Sequence, residues 1–199
     1  MIDKNYFNTL SEYVGKNILW KFKENKIIVR CDIQSFYTIE KIGTSNFLLY
    51  YNERGRETLM EEYSSEIELK RGFALQAKNH FENCFNYVHF SDFDNEKLDI
   101  NSLKNKIELY CNSDYYSVDN SRKGRVNLES EENGKYSIYY LKWNGEKIYL
   151  EKKQDVPFVF CRFYAEITYM EKKIDLIKEY SEFFNDFISD KIILEKLIY

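Results

Sequence analysis

Two stretches of the chain are rich in the aromatic and apolar residues that favour strands, and each is broken in the middle by a turn signal. Residues 47–63 (FLLYYNERGRETLMEEY) read as strand, tight turn at Glu53-Arg54-Gly55, strand. Residues 136–153 (YSIYYLKWNGEKIYLEKK) read as strand, Asn144-Gly145 turn, strand. Asn-Gly between Tyr/Ile-rich runs is a strong hairpin signal because both residues tolerate positive φ. Helical spacing of apolar residues follows each hairpin: Phe73, Ala74, Ala77, Phe81 and Cys84 after the first, Ile167, Met170, Ile174, Ile177 and Phe184 after the second. Shorter helical patterns precede them at Tyr6, Leu10, Val14 and at Leu103, Ile107, Tyr110.

The two patterns match piece by piece. Phe36-Tyr37-Thr38-Ile39 precedes the first hairpin as Tyr115-Tyr116-Ser117-Val118 precedes the second, and Tyr50-Tyr51 answers to Tyr139-Tyr140. This predicts an α+β fold of two tandem helix–strand–strand–strand–helix repeats, residues 1–97 and 98–199, with antiparallel hairpins, helices packed on the sheets and a pseudo-twofold relation. The two repeats form one fused domain or two. The polar stretch 119–134 reads as an insertion. Residues 18–29 fit a hairpin across Lys23–Lys26 or a continued helix, and their alternation favours the hairpin. Ser65 followed by Glu68 predicts a capping box, and Asn101 or Ser102 a cap on the middle helix. Pro157 in the run 156–160 suits a strand edge, a long helix is expected near 163–187, and the apolar tail 192–199 is expected to dock.

Composition narrows the function classes. One proline and seven glycines in 199 residues argue against disordered sequence and glycine-rich cofactor loops. The formal charge is −4, neither half is basic, and Ser121-Arg122-Lys123-Gly124-Arg125 is an isolated basic knot, so nucleic acid is not the expected partner. No window approaches the roughly 20 apolar residues of a membrane helix. With a polar Met1-Ile2-Asp3-Lys4 start and four scattered cysteines without a CxxC pair, the expectation is a cytoplasmic chain with reduced thiols.

Candidate chemistry is sparse. His80 and Cys84 share a helix face and His89 follows, but structural zinc normally takes four ligands with paired arms. Cys84 beside either histidine is the local nucleophile candidate. No GxSxG, HExxH or Walker pattern occurs. The expectation is a non-enzymatic protein with no cofactor and no metal site. Acidic residues are the more suggestive feature: six acids and two arginines lie between 53 and 68, and Asp92, Asp94, Glu96 and Asp99 follow. Clustered acids speed association with a basic partner. The predicted partner-binding residues are Glu61, Glu62, Asp92, Asp94 and Glu96. Adjacent tyrosines place one ring on each side of a sheet, which offers aromatic contact area to core and surface alike.

The stretch Phe36–Leu75, with Tyr50, Tyr51, Glu53, Arg54 and Gly55 at the turn and Ser65-Glu66 at the helix start, resembles the immunity proteins of bacterial polymorphic toxin systems. The second half departs from that pattern at Lys142-Trp143-Asn144-Gly145. The resemblance implies a small cytoplasmic protein that binds and neutralises a cognate toxin domain, through an acidic, tyrosine-rich surface complementary to a basic toxin. It carries over no binding residues. Another interaction module, such as a phage-encoded inhibitor of host defence or a regulatory subunit, is the alternative, and the oligomeric state stays open.

Overall fold

The computed structural model describes residues 4–30, 35–82, 89–94 and 98–199, and these form an α+β arrangement with two separate sheets. The backbone packs as two compact units, Met1–Cys84 with Glu179–Asp186, and Phe85–Lys178 with Phe187–Tyr199. The expected units were 1–97 and 98–199. The observed boundary falls earlier, and a short segment late in the chain belongs to the first unit because Tyr180 and Phe184 pack on Tyr13. Among the described residues, no helix is long and apolar enough to cross a membrane.

The first unit runs α1 (Lys4–Val14), β1 (Leu19–Lys23), β2 (Lys26–Arg30), β3 (Ser35–Ile42), β4 (Asn46–Glu53), β5 (Arg56–Tyr63) and α2 (Glu66–Glu82). Its strands form an antiparallel meander in sequence order. Residues 18–29 are therefore the hairpin that their alternation favours. Arg54 and Gly55 both take positive φ, 50° and 81°, so Glu53 pairs directly with Arg56 across a two-residue turn whose twist suits the sheet. At the start of α2 the Glu68 N–H donates to Ser65 Oγ at 3.2 Å, and the Glu68 carboxylate accepts from the Ser64 N–H at 3.0 Å. The capping box predicted there satisfies two helix-end groups at once.

Helices α1 and α2 cover one face of this sheet. Val29, Tyr37, Ile39, Leu49 and Tyr63 on that face are buried. Phe7 of α1 stacks on Trp20 with centroids 5.3 Å apart, and Phe73 of α2 meets Tyr37 edge-on at 5.5 Å. Gly72 lets α2 approach: a Cβ there would lie 2.4–2.7 Å from atoms of the Tyr63 ring. Gly72→Ala is expected to destabilise the unit, because overpacking costs about 1–3 kcal/mol and helix propensity returns less than about 1. A thermal melt showing the variant more stable than wild type would contradict this packing.

The second unit contains α3 (Ile100–Tyr110), β6 (Tyr116–Val118), β7 (Arg125–Ser130), β8 (Tyr136–Leu141), β9 (Lys147–Gln154), most of α4 (Phe158–Phe184) and α5 (Lys191–Ile198). The cap of α3 is Asp99, whose carboxylate accepts the Ser102 N–H at 2.8 Å, and not Asn101 or Ser102. Strand β7 lies inside the stretch expected to be a polar insertion, and β6 pairs with it in parallel. The link 119–124 is held by Asn127, fully buried, which accepts the Arg122 N–H at 2.7 Å and donates to the Arg125 carbonyl at 2.7 Å. Only Gly145 of the Asn-Gly pair takes positive φ, so the β8–β9 connection is a three-residue loop closed by Gly145 N–H to Lys142 C=O at 2.9 Å. Pro157 precedes the first turn of α4 instead of a strand. Its carbonyl accepts from Phe160 and Cys161, and a proline lacks only a donor that a helix start does not use. The tail docks: Ile198 is buried and Tyr199 lies 4.5 Å from the Tyr140 ring.

Both units keep the order helix, sheet with an antiparallel hairpin, helix. The strand counts are five and four instead of three each, and the parallel β6–β7 pair has no counterpart in the first sheet.

Candidate functional site

In an antiparallel sheet directly paired residues share a face, so the register assigns the face of the first sheet that the helices leave uncovered. Three rows cross it from β1 to β5. The first is Leu19, Arg30, Phe36, Asn52 and Glu57; the second is Lys21, Ile28, Thr38, Tyr50 and Leu59; the third is Lys23, Lys26, Glu40, Leu48 and Glu62. Leu19 and Leu59, at the two ends, are 60% and 54% exposed, and Ile28, Phe36, Leu48 and Tyr50 between them are partly exposed. Contiguous apolar exposure of this kind marks an interaction surface. A cavity of about 530 Å³ opens over the β1–β2 end, lined by Leu19, Lys21, Ile28 and Arg30 among others.

Charge is sorted across this face. Lys21, Lys23, Lys26 and Arg30 stand on β1 and β2, and Glu57 and Glu62 on β5. In the middle, Glu40 pairs with Lys26 at 3.0 Å and raises the Lys26 ammonium pKa, chiefly through that hydrogen bond. The buried polar pair at the centre is satisfied internally, with the Asn52 amide donating to Thr38 Oγ1 at 3.3 Å. The acidic edge depends on a bulge. Leu49 pairs with Glu61 and Tyr50 with Leu59, which leaves Met60 unpaired. That extra residue brings Glu57 and Glu62 to the same face, whereas uninterrupted alternation would separate them.

The predicted site residues fare differently. Glu62 lies on the open face, but neighbouring Glu61 points to the helix-covered side and accepts the Tyr63 hydroxyl at 2.8 Å. Asp92 sits in a short 3₁₀ turn (Phe90–Asp92), accepts the Tyr110 hydroxyl at 2.8 Å and lies 3.7 Å from the His89 ring nitrogen. Asp94 is exposed, and Glu96 falls outside the described residues. Glu61–Glu62 belong to the first unit and Asp92–Asp94 to the second. Glu57 was missed as a site residue because no sequence signal marks the bulge. Of the paired tyrosines, Tyr50 is on the open face, while Tyr116, Tyr139 and Tyr140 are buried. The aromatic excess builds cores more than surface.

The other candidate chemistry has structural partners. His80 packs among Tyr37, Tyr51 and Phe81 with centroids 5.3–5.8 Å away, and His89 stacks on Tyr110 at 3.9 Å. Cys84 falls outside the described residues. Burial, and then Glu171, push the Cys111 thiol up to about 12; burial, and then Asp94, raise Cys161. Neither described thiol is an activated nucleophile. Among the described residues, no three His, Cys, Asp or Glu side chains are grouped to hold a metal ion. Buried Glu166 has a raised pKa, chiefly from desolvation, and binds Arg162 at 2.6 Å, with Glu151 at 3.6 Å from the same guanidinium. A cavity of about 520 Å³ in the same unit is lined by Tyr140, Trp143, Tyr199 and Glu195 but not by these carboxylates. Glu195 is already committed there, accepting the Trp143 N–H at 2.7 Å.

No protein-family model, curated protein or solved structure matches the chain. The class these features define is an α+β protein with one sheet face left open.

Proposed function

We propose that the chain is a non-enzymatic immunity protein that binds a cognate toxin domain in the cytoplasm and neutralises it. The observation that carries this reading is the uncovered face of the first sheet, with Ile28, Phe36, Leu48 and Tyr50 partly exposed around the Thr38–Asn52 pair and the Glu57–Glu62 edge beside them. A basic toxin surface would meet that edge first, and Tyr50, Leu48 and Leu59 would supply the desolvated contact behind it. This moves the expected site from the mixed set Glu61, Glu62, Asp92, Asp94 and Glu96 to Glu62 with Glu57. The resemblance of residues 36–75 to immunity proteins points the same way, since β4, its turn and β5 form the acidic half of the face. The same proposal includes descent of the two units from one duplicated unit, supported by their shared helix–hairpin–helix order.

Affinity capture from the native cells in about 0.5 M salt, where the Debye length is only about 4–5 Å, selects partners held by more than exposed charge. One stoichiometric partner that is the C-terminal domain of a larger secreted protein supports the reading, and a clean lane counts against it. Against the captured domain, Glu57→Lys/Glu62→Lys is expected to slow association about 10–100-fold with its melting temperature unchanged. Unaltered kinetics would remove this edge from the site.

A further inference from the structure

We propose that, when no toxin is bound, the open face of the first sheet is occupied by the same face of a second copy, forming a twofold dimer. Charge complementarity favours this pairing. Lys21, Lys23 and Arg30 stand at one side of the face and Glu57 and Glu62 at the other, and none of these five has an ion pair among the described residues. When two copies of a sheet meet face to face, the twofold axis lies in the interface plane. An axis across the strands would set lysines over lysines. An axis along the strands lays β1 and β2 of each copy over β5 and β4 of the other, so the basic edge covers the acidic one with Lys23 opposite Glu62, while Glu40 on the central strand stays paired with its own Lys26. The same operation sets Ile28 of each copy opposite Tyr50 of the other and Phe36 beside its own counterpart on the central strand, at the roughly 10 Å separation of packed sheets.

Five strands spaced about 4.8 Å apart and some 20 Å long give a flat footprint of roughly 500 Å² per copy. A stable interface buries about 800 Å² per partner, so this dimer belongs at the weak end and dissociates on dilution. It is also salt-sensitive, because its rim is charged. A dimer of this kind would compete with a toxin domain for the face. The inference nevertheless does not rest on the toxin reading, and no toxin enters its test.

The test is sedimentation of the full chain from about 1 to 200 µM in low salt, using wild type, Lys21→Glu/Lys23→Glu/Arg30→Glu and Glu57→Lys/Glu62→Lys. Wild type is expected to rise from 24.2 kDa toward twice that mass. Each variant is expected to stay monomeric, since its like charges now face each other in a homodimer. An equimolar mixture of the two variants is expected to dimerise again, because acidic and basic edges are then opposed throughout. All substituted positions are surface positions of the sheet, and circular-dichroism melts check that each variant is folded. The proposal is overturned if wild type stays at 24.2 kDa at 200 µM, if either folded variant dimerises as wild type does, or if the mixture of folded variants remains monomeric.

Discussion

Alanine at position 73 is expected to lower the free energy of unfolding of the first unit by about 3–5 kcal/mol, the usual cost of emptying a buried phenylalanine site. Phe73 is wholly buried in α2, its ring edge-on to Tyr37, and it follows Gly72, where the helix lies against Tyr63. The loss is large because the site cannot collapse: Tyr37 is fixed in β3 and buried, and His80 already packs against its ring. The two tryptophans make the measurement clean, since Trp20 stacks on Phe7 in the first unit and Trp143 belongs to the second. In a Trp143→Phe background, urea unfolding followed by fluorescence reports the first unit. A loss below about 1 kcal/mol would show that α2 does not hold the sheet as described.

Asp186→Asn is expected to cost the first unit about 1–2 kcal/mol near neutral pH, with a defined acid dependence. Arg71 donates to both Asp186 oxygens, at 2.7 and 2.6 Å, and the Tyr180 hydroxyl donates to one of them at 3.1 Å. This fork ties α2 to the segment that returns after α4. The figure stays at the low end because the aspartate side chain is 30% exposed. The Arg71 hydrogen bonds hold the Asp186 carboxyl below its ordinary value, despite an opposing desolvation. A carboxyl depressed in the folded state stabilises fully above its unfolded-state pKa, near 4, and loses that contribution as pH falls through the folded-state value. The stability gap between wild type and Asp186→Asn should therefore be constant from about pH 7 to 5 and close below about pH 4. A gap that widens with acid would contradict the pairing.

Much of the fold was legible because local signals agreed with tertiary packing. The hairpins in 47–63 and 136–153 were legible because their turn residues and aromatic, β-branched flanks agree with the pairings β4–β5 and β8–β9, even though β8 is buried on both faces. The Ser65–Glu68 box is local chemistry that needs no tertiary context. Strand β7 was obscured because Arg125, Asn127, Glu129 and Ser130 make it look like a loop. Asn127 is polar yet buried, since its side chain serves the link 119–124. Pro157 misled for a related reason: a missing donor suits a helix start as well as a strand edge.

The site was less legible than the fold. Acidity in 53–68 was plain, but which acids share a surface depends on Met60, whose bulge inverts the alternation between Glu57 and Glu62. Adjacent Glu61 and Glu62 necessarily separate, one toward α2 and one toward solvent. The basic β1–β2 half was hidden because residues 18–29 had no settled secondary structure. Once β1 and β2 pair, their lysines and Arg30 fall on the face opposite the helices.

The measurement that bears most directly on the central claim is growth of cells producing the captured partner domain. Co-production of this chain is expected to restore growth, and co-production of folded Glu57→Lys/Glu62→Lys is expected to restore it far less. A partner domain that is harmless alone, or a wild-type chain that gives no protection while bound to it, would contradict the immunity reading.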